Sequence, residues 1–404
     1  MSTIKKAHRK KIAIIGGGPS GMMAAIELSK HHEVHVYEKN KTLGRKFLVA
    51  GKGGFNLSNN LDKNQLKKKY FPTDIFEPII RSFGAMETVN WLSDLGIPTY
   101  VGTSGRIFPV KGIKPIEVLN VLKNKIITLN GAIHFEHELI EFDSKQVTFK
   151  HKNKVIYESY DICILALGGA SWPITGSIGD WIHLMQKNNI KTTHFEPSNC
   201  GLEMDFNGKE IAKYVGRPLK NIRVTSQGIT IKGEAIISKY GLEGNAIYPI
   251  SRIVRKQLNT TNNVFIELDL KPFNTEKELL EKLTPKTTSK NYGYLFKLNK
   301  VQIALIKSFT SKETYINPIT FAKSLKNILI PIKSLRPINE AISTVGGVNV
   351  SELNSNLGLK KFPNVYIAGE MFDWDTITGG FLLQGCFATG YHIAKDIILK
   401  NTKH

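Results

Sequence analysis

Six residues constrain this chain more than any other feature. Gly16-Gly17-Gly18-Pro19-Ser20-Gly21 contains the pattern G-x-G-x-x-G and sits at the end of a short apolar run, KIAIIG (11–16). Such a run is expected of a strand buried on both faces of a parallel sheet. From Pro19 to about Lys30 the sequence reads as a helix. Proline suits its first turn, and Met22, Ala25, Ile26 and Leu28 give it an apolar side. EVHVYE (33–38) alternates as a second strand, so the chain opens as a βαβ unit. Each glycine then has a task. Gly16 allows the tight turn, Gly18 lets a pyrophosphate approach the backbone, and Gly21 lets helix and strand pack closely. Glu38 follows Gly16 by 22 residues, against the ~20 expected for a carboxylate that holds a ribose diol. Together with Pro19, Ser20 and the neighbouring Lys39, these residues predict a dinucleotide whose phosphates rest on the helix N-terminus.

Which dinucleotide is decided further along. TLGRKFLVAGKGGFNLSN (42–59) is a glycine-laden loop carrying Arg45 and Lys46. It suits a pyrophosphate and the edge of a flavin ring, and nicotinamide-only Rossmann domains have no need of it. ILALGGASWPITG (164–176) is a strand and turn of the kind flavoproteins place against their cofactor. NVYIAGEMFDWDTITGGFLLQGCFATG (364–390) has the form strand, Gly-acid pair, glycines, helix. These stretches predict FAD.

Taken together they resemble the YhiN-type family of bacterial flavoproteins, described as aminoacetone-oxidase-like or NAD(P)/FAD-dependent oxidoreductases. The resemblance covers roughly 11–180 and 336–400. It rests on GRKFLVAGKGGFNLSN, GGASWPITGSIGD, TVGGV and GEMFDWDTITGG. It implies an α/β fold, with an FAD-binding Rossmann-like domain of glutathione-reductase type carrying an inserted β-barrel-like and helical subdomain. It also implies FAD contacts from the 16–21 loop, Glu38, Arg45, Lys46, Asn56, the backbone near Leu139, and Gly168. Gly346-Gly347-Val348, Gly369-Glu370 and Gly379-Gly380-Phe381 complete the set. Where the family loop reads more like GGGRCN, this chain has Gly51-Lys52-Gly53-Gly54-Phe55-Asn56. No role for a loop cysteine therefore carries over. Glu370 stands where flavoproteins usually have the aspartate of a Gly-Asp pair.

The rest of the chain fits this outline. Residues 74–96 read as one helix, and 131–168 as antiparallel strands leading to a buried one, DICILALGG. At 195–270 the texture changes to short strands with turns, residues 275–309 read as helical, and a last amphipathic helix covers about 381–399. The expected organisation is an FAD domain from 1–191 and 336–404, interrupted by an insert at 192–335. Two adjacent glycines before Phe381 suggest a turn that passes close to a flat ring, where any Cβ would collide with it.

Composition narrows the classes. There are 55 Lys and Arg against 34 Asp and Glu, a net charge of +21. Only nine of these cations are Arg and the lysines are scattered, whereas nucleic-acid sites favour Arg for bidentate contacts. Nucleic acid is thus disfavoured as a partner, although the charge keeps it open. The three cysteines lie far apart without a CxxC pair, which fits a reducing cytoplasm. No apolar run approaches the roughly 20 residues of a membrane span. His183, His194 and His392 show no ligand spacing, so no metal is expected. His31 and His32 stand at a helix end, where positive charge is favoured. Lys46, Asp373 and Asp375 are the candidates for proton handling, the two aspartates doubling as turn caps. The expected activity is hydride transfer between non-covalent FAD and a small organic substrate, such as an amine, or NAD(P)H as a transient donor. An RNA-modifying or RNA-binding flavoprotein and a non-enzymatic flavin sensor are the alternatives.

Overall fold

The computed structural model describes residues 9–49, 54–206 and 208–402. Five parallel strands form its central sheet: β1 (Lys11–Ile15), β2 (Glu33–Glu38), β3 (Ala132–Phe135), β4 (Ile162–Leu165) and β5 (Val365–Ile367). Their spatial order is β5-β4-β1-β2-β3. The strand that opens the fold, β1, therefore lies in the middle. On one side it pairs with β2 (Ile14 opposite Val36), on the other with β4 (Ile14 opposite Ile164). Ile12, Ile14, Val36, Ile164 and Leu165 are fully buried, as strands covered on both faces require. The strand Ala132–Phe135, which the sequence pattern groups with the antiparallel strands after it, instead extends the parallel sheet beside β2. The true antiparallel meander is Glu138–Phe142, Gln146–His151 and Lys154–Ser159.

Helix α1 (Pro19–Ser29) follows β1, and the short helix α2 (Arg45–Val49) follows β2. The final helix, Phe381–Thr402, packs on α1. That approach needs Gly390, because a Cβ there would stand 2.3 Å from the Ser20 carbonyl oxygen. The expected helix over 74–96 is two, Thr73–Ser82 and Ala85–Asp94. Gly84 separates them, and its N–H is capped by the Glu87 carboxylate at 2.9 Å. His32 departs from the reading of a charged helix cap. It is 1% exposed, and burial with His31, Lys10 and Arg9 nearby lowers its pKa to about 4. It is a neutral core residue at physiological pH.

Contacts divide the chain into two units, Met1–Glu196 with Ser343–His404, and Pro197–Ile342. The second is built on a seven-stranded sheet. Val264–Asp269 and Pro218–Ser226 pair near one edge, and Ile229–Ile237 continues the sheet. The region 275–309 breaks into Glu276–Leu280, Tyr292–Leu295 and Lys300–Phe309. Pro285 and the Thr/Ser cluster after it interrupt the helical pattern. Among the described residues no helix is long and apolar enough to cross a membrane.

Candidate functional site

In the first unit the carboxyl ends of β1, β2, β4 and β5 surround a cleft of about 450 Å³. This is where open parallel sheets place ligands, and the volume lies in the range of small-molecule sites. The four glycines of the opening motif differ in what surrounds them. A Cβ on Gly16 would lie 2.3 Å from the Ala166 carbonyl oxygen, and its φ is +111°. One on Gly21 would lie 2.1 Å from the Gly16 oxygen, and one on Gly17 2.3 Å from Leu43. These three permit close packing of the protein on itself. Gly18 has nothing within 4 Å and lines the cleft. It leaves room that the protein does not use.

Glu38 is fixed from three directions. Its Oε2 accepts the Gly17 N–H at 2.9 Å, while Oε1 accepts the backbone and side-chain N–H groups of Asn40 at 2.9 and 2.6 Å. Arg45 donates to Asn40 Oδ1 (2.8 Å) and to the Ile174 carbonyl (3.0 Å), tying α2 to the loop after β4. Lys46 reaches across the cleft, donating to Ser171 Oγ at 2.8 Å and Glu370 Oε2 at 2.9 Å. Three segments far apart in sequence thus meet at one ammonium. Beside them lies Cys386, whose thiol burial pushes up to about 12, with Glu370 adding to the effect. It is an unreactive wall of the cleft.

Gly16, Gly18, Pro19, Ser20, Glu38, Lys39, Arg45, Lys46, Leu139, Gly168, Gly369 and Glu370 all line this cleft. Lys39 also stands 3.9 Å from Asp180. Gly21, Asn56, Gly346, Gly347, Val348, Gly379, Gly380 and Phe381 do not line it. Gly346 and Gly347 approach the backbone oxygens of His194 and Met371, and Val348 is buried. Asp373 Oδ1 accepts the Gly346 N–H at 3.1 Å, and Asp375 is buried in a strand opposite Phe71. Both aspartates lie outside the cleft lining. Gly51, Lys52 and Gly53 of the glycine-laden loop fall outside the described residues.

The turn before the final helix is made by Gly379 (φ +117°) and Gly380 (φ +97°). A Cβ on Gly380 would lie 2.1 Å from the Ser58 carbonyl oxygen, so a backbone neighbour already demands glycine here. Asn59 Nδ2 donates to the Gly379 carbonyl at 3.1 Å. Opposite Asn59 in the same small sheet is Arg106. Its Nε lies 3.6 Å from the point a Gly379 Cβ would occupy. The Arg106 guanidinium is half-buried and has no hydrogen-bond or ion-pair partner among the described residues. Sequence reasoning missed it, since Arg106 sits in a four-residue strand with no motif around it. Its one local mark is the turn Gly102–Gly105 just before it, which does not reveal that the side chain lacks a partner.

The sequence profile of the HI0933-like protein Rossmann domain matches residues 10–396. The chain is 24% identical to a 3-dehydro-bile acid delta(4,6)-reductase of Clostridium scindens, over 94% of this chain and 97% of that one. It is 22% identical to a ribosomal RNA dihydrouridine synthase of Haemophilus influenzae, over 95% and 97%. Among solved structures, a 3-ketosteroid delta1-dehydrogenase from Sterolibacterium denitrificans superposes with a TM-score of 0.53 at 10% identity, covering 97% of this chain and 100% of that one. A 3-ketosteroid-delta4-(5alpha)-dehydrogenase from Rhodococcus jostii RHA1 gives 0.50 at 14% identity, covering 100% and 99%. The two structures share the fold.

Proposed function

The chain belongs to the family of the HI0933-like protein Rossmann domain, and from that premise we propose that it is an FAD-dependent oxidoreductase acting on a ring double bond conjugated to a carbonyl. The observation that carries the cofactor reading is the contrast among the glycines. Three are filled by the protein's own backbone or side chains, and Gly18 alone faces free space in the cleft. FAD fits there with its pyrophosphate over Gly18 and the N-terminus of α1, and with Glu38 turned to a ribose diol. When bound, FAD supplies two-electron redox chemistry that no side chain can. The protein's part is orientation and charge. Lys46, held by Ser171 and Glu370, brings a positive charge to the cleft. Asp373 fixes the strand at Gly346. Arg106, beside the Gly379 turn and outside the cleft lining, is a cation without a partner among the described residues that can meet a substrate oxygen.

The substrate class is supported by two full-length relatives whose names both describe hydrogen added across a ring double bond. An RNA substrate is the less favoured alternative, because the more similar of the two is named for a bile-acid derivative. NADH or NADPH serves as electron donor in this reading. The three described cysteines are all free and buried, which supports a reducing, cytoplasmic setting. The test is direct. Native protein is denatured and its released cofactor identified, then holoprotein is reduced anaerobically with NADH or NADPH and mixed with a cyclic enone. FAD should be released, and the enone should restore the yellow colour. FMN or NAD alone would refute the cofactor assignment, and a reduced protein indifferent to any enone would refute the substrate class.

A further inference from the structure

The unit Pro197–Ile342 contains a cavity of its own, of about 420 Å³. It opens where two paired strands of the seven-stranded sheet come apart. Pro218–Ser226 and Val264–Asp269 pair in antiparallel register up to Arg223 opposite Asp269. Beyond that point the first strand bulges between Leu219 and Ile222, with Asn221 at φ +54°. The second leaves the ladder through Leu270 to Asn274. A bulge re-aims side chains, and here Lys220, Lys271 and Lys297 border the gap with Asn221 and Asn274. No carboxylate lines it.

The nearby charges do not balance. Asp269 is 6% exposed and is already shared by Lys326 at 2.7 Å and Arg223 at 3.9 Å. Lys326 also donates to the carbonyls of Lys271 and Asn274, at 2.7 and 2.6 Å. The Lys271 backbone N–H donates to Asp269 Oδ1 at 2.8 Å, while its ammonium donates to the Lys297 carbonyl at 2.9 Å. None of Lys220, Lys271 and Lys297 has an ion-pair partner among the described residues. Burial, with Lys282 and Lys297 nearby, lowers the Lys271 pKa from the ordinary lysine value. Like charges gathered in a partly desolvated gap repel one another, and an anion placed among them relieves that repulsion. At the mouth Phe273 is 78% exposed. An aromatic face beside clustered cations is the pairing that holds a base and its phosphate together.

We propose that this cavity is a nucleotide-binding site, with phosphate among Lys220, Lys271 and Lys297 and the base stacked on Phe273. The ligand is a phosphate joined to a planar ring, met either in a free nucleotide or in a single-stranded nucleic acid. The site is independent of the flavin cleft and of the reaction proposed there.

Calorimetric titration of the full-length, FAD-loaded protein tests it, with inorganic phosphate, AMP and a ten-nucleotide single-stranded RNA as probes. AMP should bind more tightly than phosphate, and phosphate should compete with it. The double variant Lys220→Glu/Lys297→Glu should weaken AMP binding at least tenfold. Phe273→Ala should weaken AMP about fivefold or more and leave phosphate unchanged. Flavin content should be unaltered in all variants, since these side chains belong to the other unit. RNA that binds more than tenfold tighter than AMP, with a steep salt dependence, would assign the site to a strand. Equal affinities would assign it to a free nucleotide. The proposal fails if AMP binds no better than phosphate, or if its binding survives the double charge reversal. Lys220→Gln combined with Phe273→Ala repeats the test without introducing new negative charge.

Discussion

At the scale of single residues, identical chemistry serves different ends, and substitution separates them. Gly18 has φ −78° and an unobstructed Cβ position. Gly18→Val should therefore change the stability of the flavin-free protein by no more than about 1 kcal/mol, the scale of a cap effect. It should nevertheless weaken FAD binding severely, because the new side chain takes the room left for the cofactor. Gly16→Ala should do the reverse and destabilise the protein whether FAD is present or not, since its Cβ would meet a backbone oxygen at φ +111°. Melting curves of apoprotein, paired with FAD titrations, distinguish the two. His32 makes a second prediction. Its pKa falls from the ordinary 6.5 to about 4 in the folded chain, so below pH 6.5 the unfolded state takes up a proton that the folded state refuses. The stability it contributes is complete above pH 6.5 and is lost as pH falls toward 4. The loss reaches up to about 3 kcal/mol. Urea midpoints at pH 7 and pH 4.5 should drop less for His32→Leu than for the unsubstituted protein. Equal drops would mean other groups carry the acid sensitivity.

At the scale of elements, what was legible in the sequence is what local signals encode. The strand–glycine–helix–strand opening appears within a residue of its expected limits, because each boundary carries its own mark in Pro19, Gly18 and Glu38. The buried strand in DICILALGG and the final helix were legible for the same reason. The place of Ala132–Phe135 beside β2 was not, since strand order depends on partners nearly a hundred residues away. Gly84 hid a break inside an otherwise continuous apolar pattern. For the candidate site, the cleft residues on strand ends were legible, whereas Arg106, outside the cleft lining beside Gly379, was not. The glycine pair before the final helix has a protein neighbour that the sequence does not show. Its partner is the Ser58 backbone, which accepts no Cβ at 2.1 Å. Gly380→Ala should accordingly destabilise the turn itself, adding about 1–3 kcal/mol of backbone strain to the steric displacement of Ser58. The melting temperature of flavin-free Gly380→Ala measures this. An apoprotein as stable as the parent would show that the turn can relax, and that glycine serves the ligand instead.

At the scale of the whole molecule, the two units have different chemistry to answer for and should respond to different perturbations. The first is assembled from both ends of the chain, because β5 pairs with β4 and the final helix packs on α1. The second has its own apolar core, from Leu202 through Ile250 and Leu305 to Ile332. It also has 23 Lys and Arg against 12 Asp and Glu between residues 197 and 342, so it holds +11 of the +21 net charge. Units with separate cores can melt separately. FAD bound in the cleft of the first unit should raise that unit's stability by about 2.7 kcal/mol at a hundredfold excess over Kd. For a unit of this size that corresponds to roughly 5–10 °C. Salt acts instead on the self-repulsion of the more densely charged insert, which it screens. Scanning calorimetry should therefore resolve two transitions, one moving upward with FAD and the other with ionic strength. A single transition that follows FAD as a whole would mean that the units unfold as one cooperative body.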